Sequence, residues 1–119
     1  MAEDKHAQER LAFNREIAQQ ENLQDELQLE EKRLRQQVEH FQDQMNSLFR
    51  QEEACYYDMQ EKGASSANQE FALHEIKKEI SRLTDNQNDL LSSGYRLEKN
   101  TIQATIEELQ KERNALAWD

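Results

Sequence analysis

Leu34, Val38, Phe41, Met45 and Leu48 are spaced by four, three, four and three residues. That is the a/d rhythm of a helix presenting one apolar stripe to a neighbouring helix. Forward, the stripe continues through Glu52, Cys55 and Met59. Backward, it runs through Glu31, Leu27, Gln24, Gln20, Ile17 and Phe13. A second series begins after residue 70: Leu73, Ile76, Ile80, Leu83, Gln87, Leu90, Gly94 and Leu97 keep the same rhythm. Past Thr101 the stripe moves by one residue and is carried by Ile102, Ile106, Leu109 and Leu116.

The two series are divided by "EKGASSANQEF", residues 61–71. The chain has two glycines and no proline, and one of the glycines, Gly63, lies in this stretch. Gly63 can take the left-handed conformation that closes a helix, with Lys62 suited to the last turn. Ser66 followed by Gln69 fits a capping box for the next helix, with Ser65 as the alternative cap. The pattern predicts an all-α fold, an antiparallel, coiled-coil-like two-helix hairpin in one domain, 1–119. Helix 1 spans about 5–62, the turn about 63–66 and helix 2 about 66–118, each helix being roughly 80 Å long at full extent.

A hinge at Ala64–Ser65 sets Leu48 opposite Ile80 and Leu83, Val38 opposite Leu90 and Leu91, Leu27 opposite Ile102, and Phe13 opposite Leu116. Glu31 falls near Lys99. Leu34, Val38, Phe41, Leu48, Ile76, Ile80, Leu83 and Leu90 are therefore the expected main seam, and Cys55 a small buried thiol on it. Within "LLSSGY", residues 90–95, two serines and a glycine weaken the second helix by about 1–2 kcal/mol relative to alanines, and a continuous helix is expected through them.

Composition shows what this seam lacks. Of 119 residues only 35% are hydrophobic and 34% are charged, so no thick core can be wrapped. Two helices burying one narrow stripe each are marginal alone. Apolar residues also lie off the stripe, among them Phe49, Tyr56, Tyr57, Phe71, Tyr95 and Trp118. These six are the expected partner-binding residues, and the hairpin is expected to be completed by helices of a partner.

The net charge of −10 argues against nucleic acid and anionic membranes as partners. "KRLR", residues 32–35, is the one dense basic run, and Glu30 and Glu31 precede it. No apolar run approaches the roughly 20 residues of a membrane span, and "MAEDKHAQER" has no signal-peptide core. A cytoplasmic protein, or one exported beside its partner, is expected.

No constellation for chemistry is visible. His6, His40 and His74 lack the Glu-x-x-His spacing of di-iron bundles. Glu70 and His74 share a helix face, but a lone i,i+4 pair reads as a surface contact. There is no glycine-rich phosphate loop, and the "EE" pairs at 30–31, 52–53 and 107–108 lie side by side on helix surfaces. No enzyme, cofactor, metal or small-molecule substrate is expected. Trp118 reads either as a plug at the hairpin's open end, against Leu11 or Phe13, or as an anchor in a partner's groove.

The stretch "FRQEEACYYDMQEKG" (49–63), the following "NQEF" (68–71) and the late "LEKNTIQATIEELQKERNAL" (97–116) resemble the small helical accessory proteins of bacterial type VII secretion. These are WXG-like in layout and encoded beside LXG-domain toxins. The resemblance covers the whole chain and rests on layout. It implies a targeting factor or chaperone that packs beside the helical N-terminal domain of a toxin, with a second small hairpin as a further partner, and promotes export. The chain departs from the WXG pattern in having no Trp-x-Gly at its turn. The Tyr-x-x-x-Asp/Glu export spacing occurs only at Tyr57 and Glu61, before the turn, with looser matches at Phe49–Glu53 and Phe71–Glu75, so the resemblance implies a helper and not the carrier of the signal. The alternative class is a coiled-coil stalk or scaffold, like type III or flagellar stalk proteins or a self-associating structural protein.

Overall fold

The structure, a computed structural model, describes residues 5–116. Trp118 lies outside them. Two helices, α1 (Ala7–Glu61) and α2 (Ala67–Asn114), account for nearly all of the described chain, and no strand occurs among the described residues. Their composition explains their length: Glu, Gln, Leu, Lys, Arg and Ala dominate, and no proline interrupts them. α2 passes unbroken through Ser92, Ser93 and Gly94. It ends at Asn114, with Lys111 and Arg113 in its last turn facing the negative end of the helix dipole.

Gly63 closes α1 with φ +82°. The Gly63 amide donates to the Gln60 carbonyl (3.0 Å) and the Ala64 amide to the Met59 carbonyl (2.9 Å). This pair of bonds is a Schellman closure, which requires the left-handed residue that glycine supplies. Ser66, almost fully buried, caps α2, its carbonyl accepting from the Glu70 amide at 2.9 Å. A side chain from α1 also reaches the cap: Gln60 Nε2 donates to Ser66 Oγ (3.3 Å) and to a Glu70 carboxylate oxygen (2.9 Å).

The chain divides into two compact units. One comprises Arg33–Leu91 and contains the turn. Here the helices pair antiparallel, as Lys77 Nζ to Glu53 Oε1 (2.5 Å) and Gln60 to Glu70 show. The inward positions are a different pair of heptad rows from the expected pair. On α1 they are Val38, Gln42, Met45 and Phe49; on α2 they are Leu73, Lys77, Ile80 and Thr84. Each set steps by four, three and four residues, so the seven-residue rhythm is kept while the row of Gln42, Phe49, Lys77 and Thr84 takes the inward place expected for the row of Phe41, Leu48, Ile76 and Leu83. Phe49 and Leu73 are buried; Val38, Met45 and Ile80 are half-buried. Buried Thr84 satisfies its hydroxyl by donating to the Ile80 carbonyl at 2.8 Å.

This corrects the expected seam. Phe41, Leu48, Ile76, Leu83 and Leu90 are exposed, and Cys55 is exposed as well. The inward places next to them go to Gln42, Phe49, Lys77, Thr84 and Leu91, which are half-buried or buried. One rotation inserts the larger ring of Phe49, with the Lys77 ammonium 5.7 Å from its centroid and bridged on to Glu53.

The other unit comprises the described residues of Met1–Lys32 and Ser92–Asp119. The expected stripe holds on α1, where Ile17 and Leu27 are buried and Phe13 half-buried, and on α2 after Thr101, where Ile106 is buried and Ile102, Leu109 and Leu116 are half-buried. Before Thr101 it does not, since Leu97 is exposed and Tyr95, off the expected stripe, is buried. Polar stripe positions are answered across the pair. Gln24 Nε2 donates to Gln103 Oε1 (2.9 Å), Lys99 Nζ reaches Glu31 Oε2 (2.5 Å), and Arg113 Nη1 donates to Asn14 Oδ1 (2.9 Å).

Candidate functional site

The rotation in the Arg33–Leu91 unit leaves the heptad row of each helix outward. Phe41, Leu48 and Cys55 recur every seven residues on α1; Ile76, Leu83 and Leu90 do so on α2. Phe41 of the first row and Leu83 of the second line one groove of about 440 Å³. Its walls are Leu34, Val38 and Phe41 from one helix and Ile80, Leu83 and Leu91 from the other, with Gln37, Thr84 and Gln87 as its polar lining. Phe41 is 47% exposed, Leu83 55% and Leu90 70%. With Leu48 and Ile76, each about half exposed, on the order of 500 Å² of apolar surface stands open, the size at which a patch marks an interaction site.

The groove's character follows from helical geometry. A helix using the a and e positions of its heptad to meet its hairpin partner displays the d position about 80° to one side. Both helices do this, and their d rows meet on the same face. The opposite face of the hairpin carries Glu39, Asp43, Asn46, Arg50 and Ser81, all exposed. A shallower depression there, between Asp43, Asn46, Ser81 and their neighbours, is as polar as it is apolar.

The expected partner-binding residues separate into groups. Phe49 (7% exposed) and Tyr95 are buried, each inside its own unit; they hold helices together and are not offered outward. Tyr56 is half-buried. Its hydroxyl is pushed above the usual tyrosine range by partial burial, by its hydrogen bond to Glu52 and by the charges around it. Tyr57 and Phe71 are 64% and 68% exposed. They sit on either side of the turn, at heptad positions about 160° around each helix from the groove rows, and lie apart from the groove. Sequence reasoning assigned Phe41, Leu48, Ile76, Leu83 and Leu90 to the interior. The clue to their exposure was already present in Phe49, Tyr56 and Leu91, apolar residues one step beyond the heptad row.

Near the turn, Glu53, Tyr56, Glu70, Leu73, His74 and Lys77 line a small depression of about 240 Å³. Glu53 is engaged by Lys77 and Glu70 by Gln60, so the two carboxylates are tied to neighbours within the hairpin. Among the described residues no group of three His, Cys, Asp or Glu side chains is placed to hold a metal ion, and no helix is long and apolar enough to cross a membrane. Comparison with known proteins gives no significant match to a family model, to a curated protein or to a solved structure.

Proposed function

We propose that the chain is a non-enzymatic, partner-binding helical protein: a targeting factor or chaperone that binds the helical N-terminal domain of an LXG-type toxin of type VII secretion and promotes its export. The observation that carries the binding role is the open apolar groove on the Arg33–Leu91 unit. Leaving five large aliphatic or aromatic side chains in water on a chain of mean hydropathy −1.16 is costly unless another surface covers them. Helix-in-groove docking is the mode that a pair of parallel-sided apolar rows accommodates. The exposed Tyr57 and Phe71 add a second contact near the turn. The toxin as partner is supported by the layout shared with type VII accessory proteins: the acidic hairpin, the central glycine and the aromatics beside it.

Co-expression with the N-terminal helical domain of an LXG toxin encoded next to this chain tests the reading. The expected result is a stable complex that Leu83→Asp disrupts, together with loss of toxin from the culture medium when this chain is deleted. A chain that forms a stable homodimer, retains no toxin domain and is dispensable for export is a self-assembling scaffold instead.

A further inference from the structure

The groove that supports the partner-binding reading has an unusual rim for so acidic a chain. On α1 the outer edge is Gln37, Gln44 and Gln51, spaced by sevens and all exposed. On α2 it is Ala72, Glu79 and Asn86, again spaced by sevens and exposed. The single charge on that rim, Glu79, is engaged by Arg82 at i+3, which holds its carboxyl below the usual glutamate range. Of the unit's other charges, Glu39, Asp43, Arg50 and Asp85 lie on the far rows, Lys77 is bridged to Glu53, Glu52, at the turn end of the groove, accepts from Tyr56, and Arg33, Glu75 and Asp89 lie one row outside the rim. A protein of net charge −10 thus offers an apolar surface whose immediate margin carries a single, internally paired carboxylate.

We infer that the groove between Leu34–Leu48 and Ile76–Leu91 is filled by one amphipathic helix of a partner protein, carrying heptad-spaced Leu, Ile or Val and flanked by uncharged polar residues rather than by lysine or arginine. This rests on the partner-binding reading and specifies its chemistry. The four turns from Leu34 to Leu48, about 21 Å, set the length of helix engaged. The rim sets its flanks. A partner lysine placed over Gln37, Gln44, Gln51 or Asn86 would lose hydration and find no carboxylate in return, whereas Gln, Asn, Ser or Thr there would exchange amide and hydroxyl hydrogen bonds. The long-range field of the acidic chain still attracts cations, but that attraction is screened within about 8–10 Å at ordinary salt and does not select for the groove. Binding is therefore driven by apolar burial and varies little with ionic strength.

The test uses the full chain and three synthetic helical peptides of about six turns that share one Leu/Ile heptad and differ only in their flanks: Gln, Lys or Glu. Affinity is read by fluorescence anisotropy at low and high NaCl. Occupancy of the groove is read by protection of the Cys55 thiol, the chain's one cysteine, exposed and in the same sevenfold row as Phe41 and Leu48. The Gln-flanked peptide is expected to bind best at high salt, to change affinity less than about twofold between the two conditions, and to protect Cys55. Leu83→Asp and, independently, Leu90→Gln should weaken it about tenfold or more with helicity unchanged, since both side chains are largely exposed. The Lys-flanked peptide should bind only at low salt and be indifferent to both substitutions. The inference is overturned if the Lys-flanked peptide is preferred at high salt. It is equally overturned if the groove substitutions leave Gln-peptide binding intact, or if the free chain sediments as a dimer that Leu83→Asp dissolves, because a second copy then owns the groove. A toxin-domain complex that forms and ignores Leu83→Asp removes this inference while leaving the targeting role. A Gln-peptide result as expected, with no toxin-domain complex, keeps the inference and removes the toxin.

Discussion

Truncating two phenylalanines on α1, Phe41 and Phe49, separates the observed helix rotation from the simple heptad. Phe49 is 7% exposed and packs inside the Arg33–Leu91 unit; Phe41 is 47% exposed on the groove wall. Phe→Ala at a closed site costs about 3–5 kcal/mol. A two-helix interior relaxes more readily than a globular core, so about 3 kcal/mol is expected for Phe49→Ala, including about 0.5 kcal/mol for the lost Lys77 cation–π contact. For Phe41→Ala roughly half as much ring surface returns to water, about 50 Å², or about 1 kcal/mol at about 25 cal/mol/Å². Both changes place alanine in a helix, so the propensity gain is common to the two and cancels in the comparison. Urea unfolding followed by far-UV circular dichroism reads the difference. With a slope of about 1.5 kcal/mol/M, the midpoint should fall by about 2 M for Phe49→Ala and by about 0.7 M for Phe41→Ala. In the presence of a bound partner helix the Phe41→Ala loss should grow. Equal losses, or a larger loss at Phe41 in the free chain, would refute the rotation and with it the exposed groove.

Gly94→Ala should stabilise the free chain by about 0.5–1 kcal/mol, because the glycine is mid-helix, has no positive φ, and an added Cβ meets nothing within 4 Å; an unchanged or lower melting temperature contradicts that placement. Gly63→Ala should cost about 1–2 kcal/mol through its left-handed φ, despite open space around it, which the same urea titration measures. Burial first, then the charge of Glu30 and a hydrogen bond to it, keep the Tyr95 hydroxyl protonated above the ordinary tyrosine range. The stability this supplies is complete below the unfolded value of about 10 and is lost as pH rises through the higher folded value. Urea midpoints of the wild type should therefore fall toward those of Tyr95→Phe above about pH 10, and parallel curves from about pH 8 to about pH 11 would count against the Tyr95–Glu30 contact.

Much of the fold was legible because single residues dictate it. Gly63, in a chain with two glycines, marks the turn, and the turn fixes which residues lie opposite: Glu31 was placed near Lys99 and is bonded to it. In the unit holding residues 92–116 of the chain, the one-residue shift to Ile102, Ile106 and Leu109 was also visible, but its start was not: Tyr95 is already buried and Leu97, expected on the stripe, is exposed. The rotation of the Arg33–Leu91 unit was not legible. Each helix there carries three apolar rows, one of Val38 and Met45, one of Phe41 and Leu48, and one led by Phe49, with Ile80, Leu83 and Leu91 as their counterparts on α2. Any two adjacent rows make a plausible seam. The heptad count favours the pair that includes Phe41 and Leu48, whereas packing favours the larger buried ring of Phe49 and the Lys77–Glu53 bridge beside it. The groove was missed for the same reason, as the row judged to be interior is the row left outside. Three apolar rows on a helix with one neighbour leave one row for the second neighbour proposed above.

The most direct test of that second neighbour is site-specific photocrosslinking in a type VII-secreting cell that makes the chain together with the LXG toxin proposed as its partner. A benzophenone side chain replaces Leu83, on the groove wall, or Ser81, on the opposite polar face. The account expects irradiation to join position 83, and not position 81, to a helix in the toxin's N-terminal domain. Adducts from position 81 alone, from neither position, or between two copies of this chain through position 83 would contradict it.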